Sequence, residues 1–367
     1  MVDKKKIDIE KHDPKMRAGE SAEGQMQWHS PADAPFRLAG FAWFDEERLY
    51  RRLPSKPEHP LPQAVDSLAN CTAGGQIHFQ TDSPRLSVRV TLRGPHGMNH
   101  MPATGQCGFD CYMGPPGELR YCSTTKYNRA ETSYEVKLFD LPTGQPRNVC
   151  LNFPLYQGVE EVLVGLDPKA EVSAPPAYAR EGCVVVYGTS ITQGGCASRP
   201  GMAYGNILSR RLNVEFINLG FSGSGRGEPE VAHVMAGIDS PIAFILDYEA
   251  NCVDTERLKA TFPEFVRILR ERHPNTPILA VSRIRSAGET FNPEVGRTRL
   301  ERRDFQRQTV EALRRQGDSR IVFKDGTDLL GDDFDECTVD GSHPTDLGFL
   351  RMADGLTPVV RELLDMG

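Results

Sequence analysis

A serine, an aspartate and a histidine in this sequence have the types and spacing that acyl-transfer chemistry requires. Ser190 lies two residues after Gly188, where a short apolar, β-branched run ends. Near the other end of the chain, Asp340 precedes His343 by three residues in a loop. A serine hydroxyl becomes a nucleophile when a histidine accepts its proton and a carboxylate fixes the histidine tautomer. The three residues therefore indicate a serine nucleophile with a histidine base.

Each of these segments also has a purely structural interpretation. Residues 188–190 can be an ordinary turn, because glycine and serine favour turns. Asp340 and Ser342 can cap the helix that follows them, which would leave His343 without a role. At this point both interpretations stay open.

Two other strand ends offer hydrogen-bond donors for an oxyanion. The segment 219–227 follows a strand-like run and is rich in glycine, which lets backbone amides approach a ligand. Asn251 follows the run 242–247 and can direct its side-chain amide into a site, although an Asx turn is an equal alternative. A tetrahedral intermediate needs donors of this kind.

Competing motifs are incomplete. Glu228 stands where a dinucleotide-binding fingerprint has its last glycine, and the sequence contains no P-loop. Thr192 stands where a nucleophile elbow has its second glycine, which counts against an ordinary α/β-hydrolase. His96 and His100 lie in a Gly/Pro-rich stretch with no third ligand nearby in the sequence. We therefore expect surface histidines, no metal site and no cofactor.

The second half of the chain contains the elements that would position these residues. Strand-like runs alternate there with segments of helical spacing, which predicts a parallel sheet covered by helices on both faces. Ligands of such folds bind beyond the carboxyl ends of the strands, and Ser190 lies just past one such end. The runs comprise residues 183–187, 214–218, 242–247, 278–282 and 320–324.

The helices of this half give three further predictions. One helix is expected to bury Leu300, Val310 and Leu313 and to expose its Arg-rich remainder. Another is expected to start near Pro263, because proline disrupts a helix interior. The last helix is predicted over 346–363.

The first half reads as an all-β domain. Apolar and polar residues alternate within 86–92, 134–138, 149–153 and 162–166, with Gly/Pro clusters between these runs. This period of two predicts a β-sandwich. The predicted organisation is a loose arm (1–25), a β-sandwich (26–167), a Pro-rich linker (168–180) and an α/β domain (181–367).

The composition excludes several function classes. A net charge of −7 over 367 residues gives no basic surface for nucleic acid. No apolar run is long enough to span a membrane, and no secretory signal is visible. The nine cysteines form no zinc-type spacing, so we expect free thiols in a reducing, cytoplasmic compartment.

Four motifs occur in order along the chain: Gly-Thr-Ser, Asn-x-Gly-x-Ser-Gly, Ala-Asn and Asp-x-x-His. Together they resemble the SGNH, or GDSL-type, hydrolase superfamily over about residues 180–367. The resemblance implies a flavodoxin-like three-layer α/β/α fold. It implies Ser190 as the nucleophile, His343 as its base and Asp340 as the partner of the histidine. It also implies an oxyanion hole made of the amides of Ser190 and Gly223 and the side chain of Asn251.

The sequence departs from the family pattern at several positions. Thr189 replaces the aspartate of Gly-Asp-Ser, and Ile191 replaces the leucine that follows the serine. Glu249 and Cys252 flank Asn251 where the family has glycine and aspartate. The last departure bears on the geometry of the oxyanion hole.

The whole chain resembles a narrower group, the bacterial SGNH esterases with an N-terminal jelly-roll-like β-sandwich. Those proteins carry a Gly-x-Asp-Leu-Tyr element, of which residues 44–54 look like a divergent version. The resemblance implies a serine esterase without a cofactor that acts on esters of a carbohydrate or another small polar alcohol. Residues 192–201 are Gly-rich with few large apolar side chains, whereas a lipase needs a long apolar trough, so we expect short acyl groups, acetyl first. One alternative is an acyltransferase that moves an acyl group to a natural-product alcohol through the same acyl-enzyme. The other is a catalytically inactive carbohydrate-binding protein. The expected partner is a small-molecule ester, with neither nucleic acid nor membrane, and self-association into a homo-oligomer stays open.

Overall fold

The computed structural model describes residues 9–21 and 24–366. Its first part is rich in antiparallel strands. The strands are β1 (Gln27–His29), β2 (Arg37–Ala39), β3 (Gln76–Thr81), β4 (Arg85–Leu92), β5 (Asp110–Met113), β6 (Arg120–Thr124), β7 (Ser133–Asp140), β8 (Arg147–Asn152), β9 (Val159–Leu166) and β10 (Val172–Ser173). Short helices lie between them: α1 (Phe44–Glu47), α2 (Gln63–Leu68) and α3 (Ala103–Gln106).

These strands form two antiparallel sheets. One has the order β1-β9-β4-β7, and the other has the order β10-β3-β8-β5-β6, with β2 paired to β3. Phe79 and Leu151 from one sheet and Val88 and Val164 from the other share one buried cluster. The alternation in the sequence therefore does mark the faces of two packed sheets, and the predicted β-rich first part is confirmed.

The second part alternates strands and helices. They are β11 (Cys183–Gly188), α4 (Ser190–Gln193), α5 (Tyr204–Leu212), β12 (Glu215–Gly220), α6 (Pro229–Ala236), β13 (Pro241–Asp247), α7 (Thr255–Arg272), β14 (Ile278–Val281), α8 (Gly288–Phe291), α9 (Pro293–Arg315), β15 (Ile321–Lys324) and α10 (Asp346–Leu364). Single 3₁₀ turns lie at Ile9–Lys11, Pro14–Met16, Pro200–Met202, Glu249–Asn251 and Phe334–Cys337.

The sheet of this part is parallel and has the order β12-β11-β13-β14-β15, which is the flavodoxin-like order. Successive residues of β11 enter the cores on its opposite faces. Val184 and Val186 pack in the same cluster as residues of α5 and α10, and Val185 and Tyr187 in the same cluster as residues of α6 and α7. The predicted three-layer α/β/α fold is therefore confirmed. Within the described part of the chain, no helix combines the length and the apolar character that crossing a bilayer requires.

Helix α7 starts earlier than the sequence predicts. The side chain of Asp254 accepts a hydrogen bond from the amide of Arg257 at 2.7 Å and caps the helix there. Pro263 lies inside the helix, so the prediction that the helix starts near this residue is wrong. Pro263 is exposed, whereas Phe262 and Phe265 on the opposite side are buried. Burial of this apolar face offsets the lost backbone hydrogen bond.

Helix α9 also differs from its prediction. Leu300 is 38% exposed, whereas Arg299 and Arg302 are only 4% and 5% exposed. The guanidinium of Arg299 contacts Glu289 at 2.8 Å, and that of Arg302 donates to a backbone carbonyl at 2.9 Å. Arginine can enter a core when its guanidinium has an ionic or hydrogen-bonding partner, so the Arg-rich side of the helix is not wholly solvated.

Residues near the predicted domain boundaries make ordered contacts. The predicted loose arm partly lies outside the described residues, but the amide of Gly19 donates to the carbonyl of Lys126, and the amide of Lys137 donates to the carbonyl of Glu20. Within the predicted linker, β10 pairs with β3.

Arg52 joins the two parts of the chain. Its side chain is fully buried, and its guanidinium donates to four backbone carbonyls. Those of Leu68 and Cys71 belong to the first part, and those of Asn218 and Gly220 belong to β12. Burial lowers the pKa of Arg52 to about 10, which still leaves it charged at neutral pH. Arg52 lies in the segment that looks like a Gly-x-Asp-Leu-Tyr element, so this segment helps to hold β12 in place.

The variant Arg52→Ala is expected to lose at least about 3 kcal/mol of unfolding free energy, because it leaves several buried carbonyls without a donor. Urea denaturation followed by circular dichroism measures the loss. Arg48→Ala is the matched control, because its side chain is 56% exposed and the change should have a much smaller effect. Equal urea midpoints of unfolding for the two variants would contradict the proposed contribution of Arg52 to stability.

Candidate active site

Ser190 is the first residue of α4, directly after the turn that ends β11. The side chain of Thr189 accepts from the amide of Ile191 at 3.2 Å, and the side chain of Thr192 accepts from the amide of Thr189 at 3.3 Å. This capping box satisfies the amides on both sides of Ser190. The amide of Ser190 itself, at a helix N-terminus, has no partner within the helix and is free to face an oxyanion.

Two glycines make this turn compact. A Cβ atom on Gly188 would lie 2.0 Å from the hydroxyl of Thr192 and 2.6 Å from the carbonyl oxygen of Asp247. A Cβ atom on Gly225 would lie 2.0 Å from the carbonyl oxygen of Gly188. Only glycine permits such close packing, so these positions keep the loops of three neighbouring strands together.

The structure brings together Ser190, His343 and Asp340. The hydroxyl oxygen of Ser190 lies 2.8 Å from Nε2 of His343, and Nδ1 of the same ring lies 2.7 Å from Oδ2 of Asp340. These distances fit a neutral imidazole that donates from Nδ1 to the carboxylate and accepts the serine proton at Nε2. The chain of hydrogen bonds is therefore the arrangement that activates a serine nucleophile.

Asp340 also shapes its own loop. Its Oδ1 accepts from the amides of Ser342 and His343 at 3.0 and 2.8 Å. Burial acts to raise the pKa of Asp340, but the hydrogen bonds from His343 and Ser342 outweigh it and leave this pKa below its ordinary value. Helix α10 is capped by Thr345, whose side chain accepts from the amide of Gly348. The alternative that Asp340 and Ser342 cap this helix is therefore wrong.

The two remaining predicted donors lie in adjacent loops. Gly223 adopts a left-handed backbone (φ +65°) in the loop after β12, and Asn251 ends the 3₁₀ turn after β13. Nδ2 of Asn251 donates to the carbonyl of Phe221 at 3.2 Å, which links the two loops. A primary amide has two N–H groups, so one stays available for an oxyanion.

Residues of the first part also support the site, and sequence reasoning did not identify them. The hydroxyl of Tyr156 donates to the carbonyl of Ser190 at 3.1 Å. The buried amide of Gln193 donates to the carbonyl of Leu155 at 3.1 Å and accepts from the amide of Ser222 at 3.0 Å. These contacts join segments far apart in the chain, and no local pattern signals them.

A carboxylic acid lies behind the nucleophile turn. Asp247 ends β13, and its Oδ2 accepts from the hydroxyls of Tyr204 and Thr192 at 2.8 and 3.2 Å. Burial raises the pKa of Asp247 to about 7, although the two hydrogen bonds act in the opposite direction. This group therefore gains a charge near neutral pH in the folded protein.

This shift predicts how stability depends on pH. Because the folded pKa is raised, the contribution of Asp247 is fully present below the unfolded value of about 4 and is lost as pH rises through about 7. In Asp247→Asn, the unfolding free energy relative to wild type should increase across this window by up to about 1.4 kcal/mol per pH unit. Urea denaturation at several pH values tests this prediction, and parallel stability curves for the two proteins would contradict it.

Comparison with known proteins places this site in context. Residues 181–361 match the model of the GDSL-like lipase/acylhydrolase family, and residues 26–172 match that of the N-terminus of SGNH-hydrolase-type esterases. A structure from Bacteroides ovatus, described as a GDSL-like lipase, is 30% identical with a TM-score of 0.85. That alignment covers 93% of this chain and 98% of the other. No curated protein matches the sequence.

Two further solved structures share the fold across most of this chain. A salicylyl-acyltransferase from a tetracycline biosynthetic pathway is 23% identical with a TM-score of 0.73, and the alignment covers 92% of this chain and 97% of that one. A family two carbohydrate esterase from Cellvibrio japonicus is 16% identical with a TM-score of 0.56, and the alignment covers 93% of this chain and 99% of that one.

Proposed function

The chain belongs to the GDSL-like lipase/acylhydrolase family, and from this premise we propose that it is a serine esterase. Its proposed substrates are short acyl esters, acetyl first, of a carbohydrate or another small polar alcohol. The observation that carries the proposal is the chain of hydrogen bonds from Ser190 through His343 to Asp340.

In the proposed mechanism, His343 takes the proton of Ser190 as the hydroxyl attacks the ester carbonyl. The amides of Ser190 and Gly223 and the side chain of Asn251 stabilise the negative oxygen of the tetrahedral intermediate. His343 then protonates the leaving alcohol, and an acyl group stays on the serine. A water molecule, deprotonated by the same histidine, attacks this acyl-enzyme and releases the acid.

The surroundings of the nucleophile support short acyl groups. Tyr156 and His343 present polar atoms to Ser190, and residues 192–201 contain few large apolar side chains. A long acyl chain would need an extended apolar trough. Rates for p-nitrophenyl acetate, butyrate and octanoate test this point. We expect kcat/KM to fall as the chain lengthens, and a maximum at octanoate would refute the preference.

An acyltransferase with the same acyl-enzyme is the second candidate, and the name of one structural relative gives it a precedent. Transfer requires that water is kept from the acyl-enzyme. The side chains of His343 and Asp340 are 26% and 35% exposed, which favours water as the acceptor. Product analysis with and without sugar alcohols separates the two activities, because a transferase would form a new ester at the expense of free acid.

A catalytically inactive carbohydrate-binding protein is the alternative from another class. Labelling with a serine-directed fluorophosphonate distinguishes it, because only an activated serine reacts. We expect one adduct per chain, on Ser190. Absence of the adduct would contradict the esterase proposal whatever the natural substrate is.

The variant Asn251→Ala is expected to lower kcat by about 10²–10³ with little change in KM, because the lost donor acts on the oxyanion of the transition state. Steady-state rates with p-nitrophenyl acetate measure the effect. Asn213→Ala is a suitable control, since this residue caps the far end of α5. A change in KM alone would assign Asn251 to substrate binding instead.

A further inference from the structure

A histidine from the first part of the chain lies against the triad. His100 belongs to the loop between β4 and α3, and its side chain is 44% exposed. Its Nε2 lies 3.8 Å from Oδ2 of Asp340, and its ring centre lies 6.0 Å from that of His343. The packing of the two parts therefore adds a second imidazole to the histidine–aspartate pair.

A thiol completes the group. Cys196 follows α4 and is only 4% exposed, and its backbone is left-handed (φ +74°), which is uncommon for a residue with a side chain. Cys196, His100, Asp340 and His343 each offer one ligand atom, and these four atoms all lie within 4.8 Å of one another. Four such donors from three separate segments of the chain meet at one point.

We propose that these four residues bind Zn²⁺. Tetrahedral zinc sites use thiolate, imidazole and carboxylate ligands with bonds of about 2.0–2.3 Å, so neighbouring ligand atoms are about 3.3–3.6 Å apart. The present separations of up to 4.8 Å must therefore shorten by little more than about 1 Å. The exposed loop that carries His100 can supply this movement, and the three other ligands lie on or next to the turn and loop of the triad.

Zinc at this position would regulate the site, and this consequence rests on the proposed esterase function. Nδ1 of His343 holds Asp340, and its Nε2 accepts from Ser190. Whichever of these nitrogens binds the metal, one of the two hydrogen bonds is lost. Zinc is therefore a reversible inhibitor, because it binds a nitrogen of His343 that the triad needs for one of its hydrogen bonds.

The sequence alone predicts that His100 is not a metal ligand. It appears there as a surface histidine without a third ligand, because Cys196 and Asp340 are about 100 and 240 residues away in the chain. The contact between the two parts supplies the missing ligands, so the prediction that this histidine has no metal-binding role is replaced by the present proposal.

Direct binding tests the site independently of catalysis. Co²⁺ substitutes for Zn²⁺ and reports its ligands, because a thiolate ligand gives a near-ultraviolet charge-transfer band and tetrahedral geometry gives intense visible bands. We expect both bands with wild-type protein and loss of the charge-transfer band in Cys196→Ser. Asp340→Asn should weaken the binding of Co²⁺, and zinc should displace the cobalt. Absence of the charge-transfer band in wild type overturns the proposal even if the protein is an active esterase.

Inhibition of ester hydrolysis by zinc tests the proposed regulation. Zn²⁺ should inhibit hydrolysis of p-nitrophenyl acetate, and EDTA should restore it. In His100→Ala and Cys196→Ser, the zinc concentration for half-inhibition should rise at least about tenfold. His100→Ala changes an exposed side chain, so it keeps the test valid if Cys196→Ser folds poorly.

His59→Ala and Cys122→Ser are the matched controls, because they remove a histidine and a thiol outside the group. Both should leave half-inhibition at the wild-type zinc concentration. Equal half-inhibition in all four variants, or a shift confined to the controls, overturns the proposed regulation. If the protein shows both absorption bands with Co²⁺ but has no esterase activity, this result would support the metal site and contradict only the proposed function.

Discussion

Replacing Ser190 with alanine is expected to lower kcat for p-nitrophenyl acetate by about 10⁴–10⁶. The substitution removes the only atom that bonds to the acyl group and leaves the oxyanion donors in place, so a small residual rate should remain. Ser190 is 8% exposed and its hydroxyl contacts His343, so the fold should tolerate the loss. Burst kinetics and mass spectrometry of the acyl-enzyme provide a second measurement.

Ser342→Ala is the control for this experiment. Ser342 is an exposed serine next to His343 and contacts Asp340 only through its backbone amide in the loop. Its variant should keep wild-type activity. If Ser190→Ala hydrolysed the ester as fast as wild type, the assignment of the nucleophile would be wrong.

Asp340→Asn should lower kcat by about 10⁴, a value typical of this change in serine triads. Oδ1 of the asparagine can still accept from the two loop amides, so the loop should keep its shape. Its NH₂ group cannot accept from Nδ1 of His343, which forces the other tautomer and places a proton on the nitrogen that must receive one from Ser190.

Two measurements separate this effect from simple misfolding. Far-ultraviolet circular dichroism should match wild type, and the double variant Ser190→Ala/Asp340→Asn should be no slower than Ser190→Ala alone, because the triad acts as a unit. Additive losses in the double variant would show that Asp340 acts outside the triad. The lowered pKa of Asp340 means that wild-type protein keeps this carboxylate ionised down to a lower pH than an ordinary aspartate.

Much of the candidate site could be predicted from the sequence, because its residues follow local motifs and the order of the strands brings them together. Each proposed group directly follows a strand or precedes the last helix, and the carboxyl ends of parallel strands meet at one edge of a sheet. Ser190 and Asn251 follow β11 and β13, which are neighbours in the sheet. The positions of these groups therefore follow from the strand order, once the strands are recognised.

Contacts between distant segments could not be predicted in this way. His100 and Tyr156 reach the triad only because the first part of the chain packs beside it, and nothing in their neighbourhoods in the sequence reports this packing. The burial of Arg302 also depends on a residue that is distant in the sequence, although both lie in the second part of the chain. Its burial depends on a carbonyl about 50 residues away, so helical periodicity alone placed it in solvent.

One departure from the family pattern has a physical explanation. Thr189 stands where Gly-Asp-Ser proteins have aspartate, and its hydroxyl caps the short helix that begins with Ser190. Aspartate and threonine are both good N-caps, so the substitution keeps the turn. Glu249 has a different role from the usual glycine: it is buried and accepts from the amide of Arg283 at 2.8 Å.

The four carbonyls around Arg52 bear on the ancestry of this architecture. A recombination event that separated the first part from the second would leave the guanidinium of Arg52 with two of its four carbonyl partners and the carbonyls of β12 without this donor. Selection would act against most chimaeras made at this junction, and the two parts would descend together as one heritable unit. The structure from Bacteroides ovatus aligns over 93% of this chain, so it contains counterparts of both parts.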